Sequence, residues 1–172
     1  KSIGARRLKS VIIRTSQSGD VGVSLFVTDK SVINEFNDFK HAYSQFEIIF
    51  SNPKSPASVA TEILVQQGDG YLSDGLLERI FNYSTRSFFQ VNIPVYEAAL
   101  QEIATYAREH NQRKLIDLYS GVGSIGLSVV GDNQKLIMIE TERESTLQAE
   151  LNSNGRKDCE VITATAESAL QY

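Results

Sequence analysis

The chain contains few of the residues that build disulfide frameworks or metal centres, and it has no apolar run long enough to span a membrane. Its 172 residues include one cysteine, one methionine, two histidines, three prolines and no tryptophan. A single cysteine excludes an internal disulfide and is typical of a reducing compartment. No pair of cysteines is present to support zinc or an iron–sulfur cluster. We therefore expect a cytoplasmic protein with neither a metal centre nor a membrane partner.

Basic charge is also scarce. Lysine and arginine total 17 residues against 21 aspartates and glutamates, which gives a formal net charge of −4. Nucleic-acid-binding domains are often basic, so this balance excludes binding to RNA by bulk charge alone. The first fourteen residues differ, because they contain five basic side chains and no acidic one: Lys1, Arg6, Arg7, Lys9 and Arg14. Composition leaves open whether this group forms part of an RNA-binding surface or only a solvent-exposed edge.

The most informative segment that is present is a glycine-spaced turn between an apolar strand and an apolar helix. Residues 115–126 read LIDLYSGVGSIG, and in this segment Gly121 and Gly123 permit a tight turn without a side chain. The next helix is predicted to begin near Ser124, so that its free amide groups face the same space. This layout predicts a nucleotide-like ligand at the carboxyl end of the strand.

The same segment bears on the choice between two cofactors. Gly121, Gly123 and Gly126 satisfy G-x-G-x-x-G, the dinucleotide fingerprint, which is a weak signal by itself. Asp117 precedes these glycines, and a carboxylate directed into the pocket would repel a pyrophosphate and attract a cation. S-adenosylmethionine carries a sulfonium and an ammonium group and has no phosphate. The pattern Asp-x-x-x-Gly-x-Gly therefore favours S-adenosylmethionine, with an NAD-dependent oxidoreductase as the alternative.

A second carboxylate ends the next predicted strand, residues 135–140, which read KLIMIE. Glu140 follows the glycines by about 20 residues, which is where a ribose-binding acid is expected. Its carboxylate can accept hydrogen bonds from both ribose hydroxyls. Both candidate cofactors contain a ribose, so Glu140 does not distinguish them, and an ordinary strand-ending glutamate is the simpler alternative.

A third feature is the segment 86–92, which reads RSFFQVN and precedes a predicted helix. Asn92 is expected to cap this helix and Pro94 to lie in its first turn. Apolar residues then recur at helical spacing from Val95 to about His110. On composition alone the two phenylalanines are assigned to the core. An aromatic pair followed by an amide side chain can also line a ligand site, in which the rings form an apolar wall and the amide makes a polar contact.

These elements together resemble the S-adenosylmethionine-dependent RNA (uracil-5-)-methyltransferase family, whose members form 5-methyluridine in tRNA or rRNA. The similarity rests on residues 87–92 (SFFQVN), the helix that follows them, and residues 117–127 (DLYSGVGSIGL). It extends roughly from Glu62 to Glu167. The resemblance implies a Rossmann-like methyltransferase domain, S-adenosylmethionine as the cofactor, and tRNA or rRNA as the partner of the full-length protein.

The resemblance also implies the positions of the cofactor site. Gln90 matches a glutamine that contacts the cofactor, and Tyr119 matches an aromatic residue beside the methionine part. Ser124 matches a polar residue at the amino-acid part, and Glu140 matches the ribose carboxylate. Residues 161–167 resemble the third strand and its cofactor loop, where Thr165 replaces the family's aspartate and cannot supply a carboxylate. The predicted cofactor-binding set is Gln90, Asp117, Tyr119, Gly121, Gly123, Ser124, Glu140 and Thr165.

The family's catalytic groups have no counterpart in this sequence. Its nucleophilic cysteine, Asp-Pro-Pro-Arg loop and general base are all missing, and Cys159 matches none of these positions. In the family the thiolate attacks carbon 6 of uracil, carbon 5 then takes the methyl group, and a base removes the carbon-5 proton. We therefore expect a cofactor-binding fragment that is inactive by itself. A non-catalytic module that binds RNA or a protein is the second alternative.

The order of predicted elements indicates two domains. Residues 1–86 are predicted to form a small α+β domain, with a helix over 31–43 and strands over 8–14, 21–28, 46–50, 61–67 and 76–83. Residues 87–172 are predicted to form a partial α/β, Rossmann-like domain with three parallel strands and alternating helices. The strand that begins at Leu115 would lie at an open edge of the sheet, which an oligomer could cover.

Overall fold

The computed structural model describes residues 7–39, 43–110, 113–169 and 171. Lys1 and Arg6 of the basic group, and part of the predicted helix over 31–43, lie outside these residues. The chain divides into two compact units, Lys1–Leu72 and Ser73–Tyr172. The boundary predicted at residue 86 falls within the second unit. None of the helices in the described part of the chain has the length and apolar character needed to cross a bilayer.

The first unit is a four-stranded sheet with one 3-10 helix. Its strands, in spatial order, are β1 (Leu8–Thr15), β2 (Val21–Val27), β3 (Gln45–Phe50) and β4 (Glu62–Gln67). The outer pairs, β1 with β2 and β3 with β4, are antiparallel, whereas β2 and β3 are parallel. A parallel pair needs a crossover connection, and the segment that carries the 3-10 helix Lys30–Phe39 supplies it.

The core of this unit lies between the sheet and the 3-10 helix. Alternate residues of β2 point to the same face of the sheet, and Val32 and Phe36 of the helix are both buried. These side chains pack into one buried cluster, made of Val23, Leu25, Val27, Val32, Phe36, Phe46 and Ile48. The apolar spacing thus located the helix correctly, although the structure shows the tighter 3-10 form.

Arg7 and Lys9 of the basic group make contacts within the first unit. The Arg7 guanidinium lies 3.0 Å from Asp29 Oδ2 and 2.7 Å from Glu35 Oε1. Lys9 Nζ donates hydrogen bonds to two hydroxyls and two carbonyl oxygens of the loop after β3, at 2.7 to 3.0 Å. These contacts stabilise the unit itself. Two carboxylates balance the charge of Arg7, whereas the ammonium group of Lys9 donates only to neutral oxygens.

The second unit combines a hairpin, whose first strand begins at the boundary between the units, with a parallel sheet and its helices. Its elements are β5 (Leu72–Leu76), β6 (Arg79–Tyr83), α1 (Ile93–Glu109), β7 (Lys114–Leu118), α2 (Ser124–Val129), β8 (Lys135–Glu140), α3 (Arg143–Asn152), β9 (Cys159–Thr163) and α4 (Ala166–Ala169). β5 pairs with β6, and β7, β8 and β9 form a parallel sheet in that order. The predicted Rossmann-like order of helices and strands is confirmed.

One prediction in this region is wrong. Residues 76–83 do not form a single strand, because the chain turns at Leu77 and Glu78 and returns as β6. Leu77 has a φ of +54°, a left-handed conformation that a branched side chain rarely adopts. Its backbone amide donates to Glu97 Oε1 of α1 at 2.6 Å, which fixes the turn by a tertiary contact.

β7 lies at one edge of the parallel sheet within the described residues. Ile116 and Leu118 on this strand are 44% and 36% exposed. An edge strand with apolar side chains favours association. That a second copy of the chain covers this edge in an oligomer stays a prediction.

Candidate cofactor site

The glycine turn lies at the carboxyl end of β7 and leads directly into α2. Gly123 has a φ of +83°, and a Cβ atom built on it would lie 2.7 Å from Met138 Sδ. A Cβ atom on Gly126 would lie 2.9 Å from both Asp117 Oδ2 and Leu136 Cδ1. Gly126 is therefore required by the close approach of α2 to the sheet. The third glycine has the same packing role in dinucleotide-binding sites, so Gly126 does not distinguish the two cofactors.

Asp117 lies beneath this turn and is only 8% exposed. Its Oδ2 accepts a hydrogen bond from the Gly126 amide at 2.8 Å. Burial raises the pKa of Asp117; the Gly126 hydrogen bond opposes this shift, and the charge of Glu140 adds to it. The carboxylate thus accepts a hydrogen bond from an amide in the first turn of α2 that has no partner within the helix. This contact holds the start of α2 against β7.

Glu140 lies at the carboxyl end of β8, beside the glycine turn. Its Oε1 accepts hydrogen bonds from Thr141 N, Thr141 Oγ1 and Glu142 N at 2.7 to 3.0 Å. Its Oε2 accepts one from Gly121 N at 3.1 Å. Burial works to raise the pKa of Glu140, but these hydrogen bonds outweigh it and lower the pKa. The carboxylate is therefore held ionised and in one orientation.

A cavity of about 350 Å³ lies between the glycine turn, the end of β8 and the segment that precedes α1. Five of the eight predicted site residues line it: Gln90, Tyr119, Gly121, Ser124 and Glu140. The other three, Asp117, Gly123 and Thr165, do not line it. Thr165 instead accepts a hydrogen bond from Ser168 N at 3.2 Å, which caps α4.

The cavity also contains residues that the sequence did not indicate. Tyr96, in the first turns of α1, has its hydroxyl 2.7 Å from Ser124 Oγ. Ser120 is 5% exposed, and its hydroxyl has no hydrogen-bond partner within the described part of the chain. The sequence could have indicated Tyr96 only through its position one turn after Asn92. The predicted cap itself is present, because the Asn92 side chain accepts a hydrogen bond from Val95 N.

The charged groups that line the cavity are predominantly acidic. They are Glu140, Glu142 and Arg86. Arg86 is paired with Glu144 at 2.7 Å, so its positive charge is already balanced. The lining therefore favours a cationic ligand over an anionic one.

The two adjacent phenylalanines lie in different environments. Phe89 is 4% exposed and stacks on Tyr83, with ring centroids 4.4 Å apart. Phe88 lines the cavity and is 70% exposed, and Tyr119, which also lines it, is 69% exposed. The assignment to the core thus holds for Phe89, whereas Phe88 and Tyr119 present two accessible aromatic rings at the cavity.

No protein-family model matches the chain. An uncharacterized RNA methyltransferase of Enterococcus faecalis is 31% identical over 122 residues, which cover 69% of this chain and 27% of that protein. Another, from Caldanaerobacter subterraneus, is 25% identical over 172 residues, which cover 94% of this chain and 38% of that protein. The chain thus spans about a third of the length of the curated relatives it matches.

Among solved structures, the tRNA (uracil-54, C5)-methyltransferase of Pyrococcus abyssi, in complex with S-adenosyl-L-homocysteine, has a similar fold. The TM-score is 0.71 at 18% sequence identity, over 92% of this chain and 40% of that chain. The similarity to this structure confirms the Rossmann-like methyltransferase fold. The predicted resemblance is confirmed: this chain is similar in sequence to RNA methyltransferases and has the fold of a tRNA uracil methyltransferase, part of whose length it covers.

Proposed function

We propose that this chain is the cofactor-binding part of an S-adenosylmethionine-dependent RNA (uracil-5-)-methyltransferase. The observation that carries the proposal is the acidic cavity at the carboxyl ends of β7 and β8, with Glu140 held ionised at its wall. The named relatives and the Pyrococcus abyssi structure support the same assignment.

The charge of the lining supports S-adenosylmethionine over NAD. When bound, this cofactor supplies a methyl group on a positively charged sulfur, and its methionine part adds an ammonium group. Glu140 and Glu142 attract such charges, whereas they repel a pyrophosphate. Arg86 is the one cation among the described residues that line the cavity, and Glu144 already neutralises it.

Glu140 is the residue that fits the ribose. Its Oε1 already accepts three hydrogen bonds, whereas Oε2 accepts one and has acceptor capacity left. A ribose hydroxyl that donates to Oε2 would meet a carboxylate whose orientation is fixed before binding. Such preorganisation lowers the entropic cost of binding.

The aromatic rings of Phe88 and Tyr119 support RNA as the substrate. Both line the cavity and are largely exposed, so each offers a flat apolar face to an unstacked base. Stacking of a base on such a ring contributes about 1–3 kcal/mol. This contribution comes from the ring and not from the net charge of the chain, which is −4.

Cys159 does not serve as the nucleophile in this proposal. It begins β9 and does not line the cavity. Burial raises the pKa of its thiol, so the reactive thiolate is disfavoured. The chain by itself is therefore expected to bind the cofactor without transferring its methyl group, and the cysteine chemistry belongs to another part of the whole protein.

Two measurements test the proposal. Calorimetry on this chain should show binding of S-adenosyl-L-homocysteine and weaker or no binding of NAD; tighter binding of NAD would contradict the cofactor assignment. The whole protein should form 5-methyluridine in unmodified tRNA or rRNA, detected by mass spectrometry of nucleosides. Methylation at another atom would contradict the uracil-5 assignment, and loss of activity in Cys159→Ser would contradict the assigned role of Cys159.

A further inference from the structure

Several residues with hydroxyl groups line the same cavity as Glu140. Among them are Tyr96 on α1, Ser124 on α2 and Ser120 in the turn before α2. Glu140 ends β8, whereas the Tyr96 and Ser124 hydroxyls come from α1 and α2, which pack on each other. The Tyr96–Ser124 pair and Glu140 therefore come from different elements around the cavity.

The Tyr96 and Ser124 hydroxyls form a pair at 2.7 Å, in which either oxygen can be the donor. Two hydroxyls carry two O–H groups, and the bond between them uses one. Whichever oxygen donates within the pair, one O–H group remains available for an acceptor in the cavity. Burial raises the pKa of Tyr96, so its hydroxyl stays protonated at neutral pH.

Ser120 provides an independent indication that a polar ligand group belongs here. Its hydroxyl is buried and has no partner among the residues that the structure describes, although most buried polar side-chain atoms in native proteins have one. A ligand with a hydrogen-bonding group next to Ser120 would satisfy it. An apolar ligand group would leave the hydroxyl buried and unpaired, which is unfavourable.

We propose that Tyr96 determines specificity for the amino-acid end of the cofactor, with the Tyr96–Ser124 pair donating a hydrogen bond to its carboxylate. The proposal rests on the proposed function, because it assumes that Glu140 takes the ribose. With the ribose at β8, the methionine part extends over the glycine turn toward α1 and α2. Ser120 would then contact the same zwitterionic group.

The test compares two ligands that differ in the amino-acid end: S-adenosyl-L-homocysteine and 5′-methylthioadenosine, which lacks the amino and carboxylate groups. Calorimetry on this chain should show that Tyr96→Phe weakens S-adenosyl-L-homocysteine binding about tenfold or more, as for a hydrogen bond to a charged group. Binding of 5′-methylthioadenosine should not change. Ser124→Ala should show the same selective loss.

Tyr106→Phe is the matched control, because Tyr106 lies on the same helix, is 65% exposed and does not line the cavity. It should bind both ligands as the wild type does. An unchanged affinity of Tyr96→Phe for S-adenosyl-L-homocysteine, or an equal loss for both ligands, would overturn the role of Tyr96. A wild-type chain that binds neither ligand would overturn the proposed function itself, so the two failures are distinguishable.

Discussion

Asn82 and Asn152 are joined by two hydrogen bonds, although they lie 70 residues apart in the sequence. The Asn82 amide donates to Asn152 Oδ1 at 2.8 Å, and Asn152 Nδ2 donates to the Asn82 carbonyl at 2.9 Å. Asn152 Nδ2 also donates to the carbonyl of Val122 in the glycine turn at 2.9 Å. One side chain at the end of α3 thus connects β6 with the turn that forms the cofactor cavity.

Replacement of Asn152 by alanine should destabilise the chain. The substitution removes three hydrogen bonds, two at partly buried backbone groups of Asn82 and one at the buried carbonyl of Val122. We expect a loss of about 2–4 kcal/mol in the free energy of unfolding, measured with urea. Asn133→Ala, at an exposed position, should change it by less than about 0.5 kcal/mol. Equal effects of the two substitutions would show that the Asn82–Asn152 link does not contribute to stability.

Gly126→Ala should also destabilise the chain, although the same change in a solvent-exposed helix is stabilising by about 0.5–1 kcal/mol. The new Cβ atom would lie 2.9 Å from Asp117 Oδ2 and from Leu136 Cδ1, so α2 would have to move away from the sheet. We expect a loss of about 1–3 kcal/mol, as for overpacking of a core. Gly75→Ala is the control, because a Cβ atom there meets nothing within 4 Å. Thermal unfolding of both variants gives the comparison, and a stabilised Gly126→Ala would refute the packing explanation.

Asp117→Asn should change how stability depends on pH. Burial raises the pKa of Asp117 in the folded chain above its usual value of 3.8, so ionisation of this group costs stability. That cost is absent below the unfolded-state pKa and develops as the pH rises through the higher folded-state pKa. Asparagine has the same shape, keeps an oxygen acceptor for the Gly126 amide and does not ionise. The wild type should therefore lose stability relative to Asp117→Asn as the pH rises through this range, measured by urea unfolding at a series of pH values. A relative gain by the wild type would mean that Asp117 favours folding in its charged form.

The parallel sheet and its helices could be predicted because their local signals agree with the tertiary structure. The strands over Lys114–Leu118 and Lys135–Glu140 are short apolar runs, and Asn92 is a strong cap that ends up in that role. The hairpin turn at Leu77 could not be predicted, because it contains neither glycine, proline nor asparagine. Its conformation depends on the contact of its amide with Glu97, which is 20 residues away.

The site was predictable only where residue type and local position suffice. Glu140 and Ser124 end a strand and begin a helix, so their location at the cavity follows from the fold. The direction of the Asp117 side chain cannot be inferred in this way, because a side chain near the end of a strand can point to either face of the sheet. In the structure it points to the Gly126 amide and does not line the cavity. Tyr96 was missed because its partner Ser124 is 28 residues away, and only the packing of α1 on α2 brings their hydroxyls together.

Whether Glu140 binds the cofactor's ribose is decided by calorimetry with S-adenosyl-L-homocysteine on the wild type and Glu140→Ala. The wild type should bind, and the variant should bind about tenfold to a hundredfold more weakly, because the ribose loses a charged acceptor. Glu160→Ala, which removes an exposed carboxylate paired with Lys135, should bind like the wild type. Unchanged affinity in Glu140→Ala would show that Glu140 does not bind the ribose.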